Sequence, residues 1–514
     1  MSRFNPANST QINIDARHPG PVINKNIYGQ FAEHLGRLFY GGLWVGPDSD
    51  IPNTRGWRND VLAALKELKV PVLRWPGGCF SDGYRWRDGI GPPGRRPVRL
   101  NSLWGRVEES NAVGTHEFFD LVEMLGAEAY VNCNMGTGSP REMADWLEYM
   151  TCDSRTDLAE LRRRNGRDQP FRLHHFGIGN ETWGAGGYMS PEYYTSRYKL
   201  WSTMARPPWD LPTNFVASGG HGGEEKDLTR WTEYLTANIE PDFLLKFDAV
   251  SFHYYTHPRG SVWEEKGNAI RFPEQEWIST LHATLKMDQF IAANKAVMDR
   301  NDPDNHVSFH VDEWGAWYDM EEGGNCGFLY QQNSLRDALV AALNFHIFHK
   351  YAERVRMTNI AQMVNVLQAM ILTEGERMIL TPTYHAYKMY TPFQGATALP
   401  VELGDTPPYQ FGEFSIPALS ASAARATDGK IQLALVNTNP RQAEIVELKL
   451  SGMEVTGASG QVLTSPDMDA HNTFDDPRAI APQTCNFKAD KGKLVLGLPA
   501  KAVMVVAVTG LEPR

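Results

Sequence analysis

The sequence predicts a (β/α)8 barrel joined to a smaller all-β module. Eight apolar, β-rich segments recur near residues 27, 72, 130, 177, 215, 250, 309 and 362, and each is followed by room for a helix. Beyond Thr391-Pro392 the pattern changes to short strands separated by Pro and Gly, without helical periodicity. A length of 514 residues suits a large barrel with a second domain.

Strand and helix patterns alternate along the barrel region. The predicted strands lie in Asn26–Phe31, Pro71–Trp75, Glu128–Asn134, Leu173–Ile178, Asn214–Ser218, Phe247–Tyr255, His306–Trp317 and Asn359–Leu367. The predicted helices are Asn59–Lys69, Thr115–Leu125 with Thr115 as N-cap, two helices opened by Ser139-Pro140 and Ser190-Pro191, one near Trp277–Met298, and Ser334–Arg354. The alternative, an open doubly wound sheet, is disfavoured because no Gly-x-Gly-x-x-Gly motif follows any strand.

The C-terminal region is predicted to be a β-sandwich. Its strands are expected at Ser420–Ala426, Ile431–Asn437, Ala443–Leu450, Gly460–Leu463, Lys493–Leu498 and Ala502–Thr509. An alternating segment, Gln11–Asp15, is a candidate to complete the same sandwich. We therefore expect a barrel domain at residues 22–392 and a β-sandwich domain, jelly-roll-like, formed by residues 1–21 and 393–514.

Charge and composition exclude several classes of partner. A net charge of −11 and a pI near 5.8 disfavour nucleic-acid or anionic-membrane binding. Residues 1–20 contain no apolar signal core, and no uninterrupted apolar run of membrane-spanning length occurs. The five cysteines include no CxxC pair, which predicts reduced thiols and a cytoplasmic protein. His346 and His349 share a helix face but have no apparent third ligand, so we expect no metal site and no cofactor.

Two segments have the same form and each ends in a glutamate. In HHFGIGNETWG a buried-looking run leads to Glu181, and in HVSFHVDEWGAW a similar run leads to Glu313. In a barrel the residues at the C-terminal ends of the strands build the site. The polar residues at these positions are Glu33, Arg74, Asn180, Glu181, His253, Tyr255, Glu313 and Gln362.

Two carboxyl groups about 5 Å apart, one protonated and one ionised, are what a retaining glycosidase needs. Glu181 and Glu313 fit this pair, although residue type alone does not decide which is the acid. Each group also has a structural alternative: a strand-end Glu is as often an ion-pair partner, and Arg74 or His253 could serve the core. Some tryptophans near the expected mouth should line a sugar pocket while the rest pack: Trp104, Trp183, Trp314 and Trp317.

Five ordered motifs carry a family resemblance. They are NIYGQFAEH from Asn26, LRWPGG from Leu73, Gly179-Asn180-Glu181, SFHYY from Ser251 and Asp312-Glu313-Trp314. Together they closely resemble the α-L-arabinofuranosidases of glycoside hydrolase family 51, through the whole barrel and more loosely in the terminal β region.

The resemblance implies a retaining exo-enzyme with Glu181 as acid/base and Glu313 as nucleophile. It further implies that Asn180 holds the sugar 2-hydroxyl, that Glu33 binds other hydroxyls, that Arg74 and Tyr255 support the nucleophile, and that His253 supports the acid/base. Gln362 is the expected sugar contact on the last strand, with Gln368 the less favoured choice; Cys79 and Trp317 complete the expected substrate site. The family is commonly hexameric and metal-independent, so a homo-oligomer is expected.

The sequence therefore predicts hydrolysis of terminal non-reducing α-L-arabinofuranosyl residues from arabinan, arabinoxylan or their oligosaccharides. Two alternatives stay open at this point. One is an endo-β-1,4-glucanase or β-xylosidase on the same barrel, and the other is a carbohydrate-binding protein without turnover.

Overall fold

The computed structural model describes residues 9–223, 228–259, 266–320, 323–490 and 493–511. Its first strand, β1 (Thr10–Asp15), lies apart from the barrel and joins a sheet built from the C-terminal region. The chain then enters eight parallel strands: β2 (Gly29–Phe31), β3 (Val72–Trp75), β4 (Glu128–Cys133), β5 (His175–Ile178), β6 (Asn214–Ala217), β7 (Ala249–Thr256), β8 (Ser308–Ala316) and β9 (Val355–Ile360).

These eight strands form a closed barrel. Each pairs in parallel with the next, and β9 pairs with β2 through Asn359 opposite Gly29 and Ile360 opposite Gln30. The helices between and after the strands are α1 (Asn59–Glu67), α2 (Thr115–Leu125), α3 (Pro140–Thr151), α4 (Asp157–Arg164), α5 (Pro191–Met204), α6 (Arg230–Asn238), α7 (Glu274–Asn301), α8 (Leu335–Lys350) and α9 (Pro382–Tyr390). The predicted (β/α)8 fold is confirmed.

Local signals explain most of the helix starts. Ser139 and Ser190 each accept a hydrogen bond from a backbone N–H in the first turn, and a proline follows each. Helix α2 has the predicted limits, but the predicted N-cap was wrong, because Gly114 is the N-cap and Thr115 is the first helical residue. The carboxylate of Glu117 accepts the Gly114 N–H instead, which satisfies a free backbone donor without a side chain at the cap.

Two barrel strands differ from their predicted limits. Residues 25–28 form a 3-10 turn, so the first strand begins only at Gly29. The last strand is Val355–Ile360, and the segment from Ala361 to Leu367 lies beyond its end. Residues 26–28 and 361–367 are buried and largely apolar, so composition alone did not distinguish each strand from the buried segment next to it.

The C-terminal region forms two packed sheets. Besides a separate hairpin of Tyr409–Phe411 and Phe414–Ile416, the strands of this region are β10 (Thr397–Leu399), β11 (Val401–Leu403), β12 (Leu419–Arg425), β13 (Ile431–Asn437), β14 (Glu444–Ser451), β15 (Glu454–Leu463), β16 (Gln483–Lys488), β17 (Leu494–Leu498) and β18 (Ala502–Leu511). One sheet has the order β11-β1-β14-β17 and the other β10-β12-β13-β18-β15-β16. Strand β1 thus completes the sandwich as predicted, and Ile12 and Ile14 are buried in its core.

The sandwich contacts the barrel through α8. His346 and His349 hydrogen-bond Ser420 and Ser422 on β12 through their Nδ1 atoms, at 2.8 Å each. Their other ring nitrogens contact the hydroxyls of Tyr390 and Tyr28. Both histidines therefore hold the domains together, and we propose the division at residues 22–392 that the sequence suggests.

Candidate active site

Glu181 and Glu313 meet at the carboxyl end of the barrel. Glu181 follows β5 in a turn with positive φ at Gly179 (+86°) and at Glu181 itself (+41°), while Glu313 lies on β8. One oxygen of each carboxylate and one ring nitrogen of His253 lie within 4.8 Å of one another. The left-handed backbone at a non-glycine residue is uncommon and is a feature of functional sites.

The Glu313 carboxylate is held by two donors. Arg74 Nη1 lies 2.9 Å from Oε2, and the Tyr255 hydroxyl lies 2.8 Å from Oε1. Arg74 is buried, and burial opposes its charge, but the surrounding anions, first of all Asp312, raise its pKa above the ordinary value. A fixed guanidinium and a phenol donor both favour an ionised carboxylate at this position.

The Glu181 carboxylate faces different groups. His253 Nδ1 lies 2.9 Å from Oε1, and the Cys79 thiol donates to Oε2 at 3.7 Å. Burial opposes ionisation of Glu181, yet the hydrogen bond and charge of His253 lower its pKa below the usual range. Burial likewise disfavours the imidazolium, but Glu313, Asp312 and Glu181 raise the pKa of His253 to about 10. A proton therefore resides on the Glu181–His253 pair at neutral pH.

Asn180 presents an unused donor. Its Oδ1 accepts a 2.6 Å hydrogen bond from Arg74 Nη2, which fixes the amide orientation. Its Nδ2 is buried and has no hydrogen-bond partner among the described residues. Such a donor is costly unless a ligand or water satisfies it.

Glu33 lies on the other side of the site among neutral donors. Its Oε1 accepts from Phe80 N and Trp104 Nε1, both at 2.9 Å, and its Oε2 accepts from Gln362 Nε2 at 3.1 Å. Burial, together with the charge of Glu313, raises the pKa of Glu33 to about 7. A Cβ on Gly78 would lie 3.1 Å from Glu313 Oε2 and 3.5 Å from Glu33 Oε1, so glycine keeps the space between these carboxylates open.

The two candidate glutamines have different surroundings. Gln362 makes two hydrogen bonds with Glu33. Its Oε1 accepts from the backbone N–H of Glu33, and its Nε2 donates to the Glu33 carboxylate. Gln368 accepts from Ala316 N at 2.8 Å and donates to the Asp337 carbonyl at 2.7 Å. Gln362 thus contacts Glu33, whereas the side chain of Gln368 bonds backbone groups; the sugar-binding role of Gln362 stays a prediction.

The four tryptophans have different surroundings, and their contact with a sugar stays a prediction. Trp317 packs edge-on against Tyr255 with ring centroids 5.2 Å apart, and Trp104 contacts Glu33. Trp183 packs against His221 at 3.9 Å between centroids. Trp314 is fully buried and donates to Thr358 Oγ1, so it belongs to the core.

The sequence reasoning left Asp312 and Tyr130 out of the site. Asp312 Oδ2 accepts a 2.7 Å hydrogen bond from the Tyr130 hydroxyl, and Oδ1 lies 3.3 Å from His253 Nε2. Regular strand alternation would point Asp312 away from the face that carries Glu313. The adjacent acids Asp312 and Glu313 were the only indication in the sequence. A bulge in β8 places both carboxylates inside the barrel.

Strand β8 carries one extra residue opposite β7. Ser251 pairs with His310 and His253 pairs with Glu313, so two steps along β7 match three steps along β8. The same slip occurs against β9, between Val311 and Trp314. A bulge of this kind breaks the alternation of side chains and often re-aims one beside an active site.

The spacing of Glu181, His253 and Glu313 is also within the range of metal ligands. In this arrangement, however, the Arg74 guanidinium lies 2.9 Å from the Glu313 carboxylate and supplies a fixed positive charge there. The donors are thus paired with one another and with protein cations. Metal independence stays a prediction.

Comparisons with known proteins agree with this geometry. Two sequence-family models match the chain: the α-L-arabinofuranosidase 1 domain over residues 64–261 and the α-L-arabinofuranosidase C-terminal domain over residues 312–502. A curated relative from Bacteroides ovatus, named intracellular exo-α-L-arabinofuranosidase, is 43% identical over 97% of this chain and 95% of its own length.

Solved structures give the same result for the fold. The family 51 arabinofuranosidase from Xanthomonas axonopodis pv. citri is 46% identical, with a TM-score of 0.94 over 98% of this chain and 100% of that one. The Thermotoga maritima α-L-arabinofuranosidase, solved as an arabinose complex, is 29% identical with a TM-score of 0.81 and the same two coverages. These similarities extend over both the barrel and the C-terminal sheets.

Proposed function

The chain belongs to the α-L-arabinofuranosidases of glycoside hydrolase family 51, and from that premise we propose a retaining mechanism with Glu313 as nucleophile and Glu181 as acid/base. The observation that carries this assignment is the difference between their partners. Glu313 contacts a guanidinium and a phenol, whereas Glu181 contacts an imidazole and a thiol. The first environment favours a permanent carboxylate, and the second can exchange a proton.

The separation of the two carboxylates supports retention of configuration. Oxygens of Glu181 and Glu313 within 4.8 Å leave room for direct attack on the sugar ring. Inverting enzymes need about 6.5–9.5 Å between the carboxyl groups to admit a water molecule. The distance fits double displacement through a covalent glycosyl-enzyme.

In the first step Glu313 attacks the anomeric carbon while Glu181 protonates the departing glycosidic oxygen. Substrate entry removes water from the site, which favours the neutral form of the Glu181–His253 pair and moves its proton to Glu181. In the second step Glu181 takes a proton from water, which attacks the anomeric carbon and releases Glu313. The sugar leaves with its original anomeric configuration.

Other site residues are proposed to bind the terminal sugar. The free Nδ2 of Asn180 is placed to donate to the 2-hydroxyl, and Glu33, Gln362 and Cys79 border the same space. Trp317 is proposed as an apolar wall through its contact with Tyr255. Sugar faces suit flat aromatic surfaces, because ring C–H groups pack against them.

Two loops support action at chain ends. Asn325 Nδ2 donates to the Gly105 carbonyl at 3.0 Å, next to the Trp104 that contacts Glu33. Gly327 packs so closely on Gly105 that a Cβ would lie 2.1 Å from its backbone nitrogen. This contact joins two loops beside the Trp104 that contacts Glu33, and we infer from it a pocket for a terminal residue and not an open groove.

Terminal, non-reducing α-L-arabinofuranosyl groups of arabinan, arabinoxylan and their oligosaccharides are the proposed substrates. The name of the Bacteroides ovatus relative supports exo action and a cytoplasmic location. Among the described residues, no helix is both long and apolar enough to cross a membrane. A homo-oligomer, with a hexamer as the expected form, stays a prediction from the family resemblance.

Product analysis tests the proposed function. Incubation with arabinan, arabinoxylan, cellulose and xylan should release only arabinose, and only from the first two polymers. NMR of the first product formed should show the same anomeric configuration as the substrate. Oligosaccharide products, or an inverted first product, would contradict the proposal; family membership already favours it over the endo-glucanase, β-xylosidase and non-catalytic alternatives.

A further inference from the structure

We propose that Asp312 is a positioning residue that fixes the ring of His253, so that the proton on Nδ1 is the one shared with Glu181. The proposal rests on the acid/base role of Glu181 given above. Asp312 acts through His253 and does not contact the sugar.

The contacts of Asp312 carry the proposal. Asp312 is buried, with 1% of its surface exposed, and its Oδ1, which makes no hydrogen bond to the described residues, forms an ion pair with His253 Nε2 at 3.3 Å. His253 Nδ1 then faces Glu181 Oε1 at 2.9 Å and Glu313 Oε2 at 3.5 Å. An imidazole that keeps one N–H on a buried carboxylate presents its other nitrogen in a defined state to the reacting group.

Asp312 is itself held by two elements of the barrel. The Tyr130 hydroxyl on β4 donates to Oδ2 at 2.7 Å, and Arg74 Nε on β3 lies 3.7 Å from the same oxygen. Burial opposes its ionisation, but Arg74 and His253 hold its pKa well below the usual range. Asp312 is therefore a fixed anion, and its position follows from the bulge in β8.

A carboxylate beside His253 should also raise the proton affinity of the Glu181–His253 pair. Removing it lowers that affinity, so the pair loses its proton at a lower pH. The other charged and titratable groups around this pair are Arg74 on β3, Cys79 after β3, Tyr130 on β4, His221 after β6, Tyr255 on β7, Glu313 on β8, and Glu33 and Asp82 at the border of the site.

The test compares Asp312→Asn with the wild-type protein and with Asp248→Asn. Asp248 precedes β7 at the opposite end of the barrel and accepts the Phe215 N–H, so it is a matched control for a carboxylate-to-amide change. We expect Asp312→Asn to lower kcat on an aryl arabinofuranoside by about 10²- to 10⁴-fold, as misplacement or a wrong imidazole tautomer does in other enzymes. The basic limb of its pH profile should move to lower pH, while Asp248→Asn should match the wild type.

A spectroscopic measurement gives a second, independent outcome. Selective ¹⁵N-histidine labelling, with the His253 signals identified by their loss in His253→Gln, reports the protonation of both ring nitrogens. In the wild-type protein both ring nitrogens of His253 should carry protons at pH 7. In Asp312→Asn, His253 should lose one of these protons at a lower pH than it does in the wild-type protein. A neutral His253 in the wild-type protein would overturn the proposal even if Asp312→Asn did not fold.

The two proposals fail in different ways. An active Glu313→Ala or Glu181→Ala would reject the assignment of nucleophile and acid/base. If those variants are inactive but Asp312→Asn keeps the wild-type kcat and pH profile, only the role of Asp312 is rejected. Tyr130→Phe, which removes one donor and leaves the charge of Asp312, should give an intermediate loss.

Discussion

Arg74 joins the two halves of the active site, because one guanidinium contacts both Glu313 and Asn180. Nη1 lies 2.9 Å from Glu313 Oε2, and Nη2 lies 2.6 Å from Asn180 Oδ1. Asn180, whose amide is proposed to bind the substrate, is thus oriented by the same cation that holds the proposed nucleophile. One side chain therefore holds both the proposed sugar contact and the proposed nucleophile.

Arg74→Lys should therefore impair catalysis despite keeping the charge. A lysine ammonium lacks the planar fork needed to contact both partners at these positions. Losing a charge-assisted hydrogen bond costs about 2 kcal/mol, or about thirtyfold in kcat/KM. Steady-state kinetics on an aryl arabinofuranoside measures the loss, with Arg441→Lys at an exposed ion pair to Glu274 as control; equal kinetics for both variants would contradict the role of Arg74.

Variants that lack one or the other of the two proposed catalytic carboxylates should respond differently to azide. Glu313→Ala lacks the group that forms the glycosyl-enzyme and should lose almost all turnover. Glu181→Ala should lose about 10²- to 10⁴-fold through the missing acid/base. With an activated aryl substrate, azide should restore Glu181→Ala and yield an arabinofuranosyl azide of retained configuration.

Glu276→Gln provides the control for this experiment, since Glu276 is a buried acid outside the site that pairs with Arg259. It should keep near-normal kinetics. Near-normal activity of Glu181→Ala or Glu313→Ala would reject the assignment, and a glycosyl azide of retained configuration from Glu313→Ala instead of Glu181→Ala would reverse it.

The stability of the protein should fall as Glu33 ionises. Its pKa is raised from 4.5 to about 7 by burial and by Glu313, so its protonated form is favoured in the folded state. The contribution of protonated Glu33 to the free energy of unfolding is fully present below pH 4.5 and is lost as the pH rises through about 7. From the size of the shift, the loss is about 3 kcal/mol.

Glu33→Gln should remove this pH dependence, because the amide is neutral and has the same shape. Urea unfolding at pH 5 and pH 8 measures the difference. The variant should be more stable than the wild-type protein at pH 8, and the difference should shrink at pH 5. A parallel loss of stability in both proteins would show that other groups control the pH response.

Alkylation should distinguish the site thiol from the surface thiol. Burial and the neighbouring carboxylates, Glu181 first among them, raise the pKa of Cys79 well above its usual value, whereas Cys326 is exposed. Because the thiolate is the reactive form, iodoacetamide at pH 8 should modify Cys326 first. Mass spectrometry should show that Cys326 is labelled before Cys79 and that Cys326→Ser removes the fast reaction; rapid labelling of Cys79 would contradict the expectation.

The sequence determined which residues could do chemistry and the order of elements that carries them. The active site of a barrel lies at the C-terminal ends of its strands, so Glu33, Arg74, Glu181 and Glu313 could be predicted from the sequence as candidate site residues. The alternation in Gln11–Asp15 likewise predicted a half-buried strand, which β1 confirms. Both inferences depend only on local periodicity and on the common direction of parallel strands.

Only the tertiary structure decided which partners each acid has. Asp312 and Glu313 are neighbours in sequence, and regular alternation would have placed them on opposite faces of β8. The pairing of β8 with β7 and β9 forces one extra residue into the strand, and both carboxylates consequently reach Arg74. The register of three strands is a long-range property, so no local pattern within the chain could have revealed it.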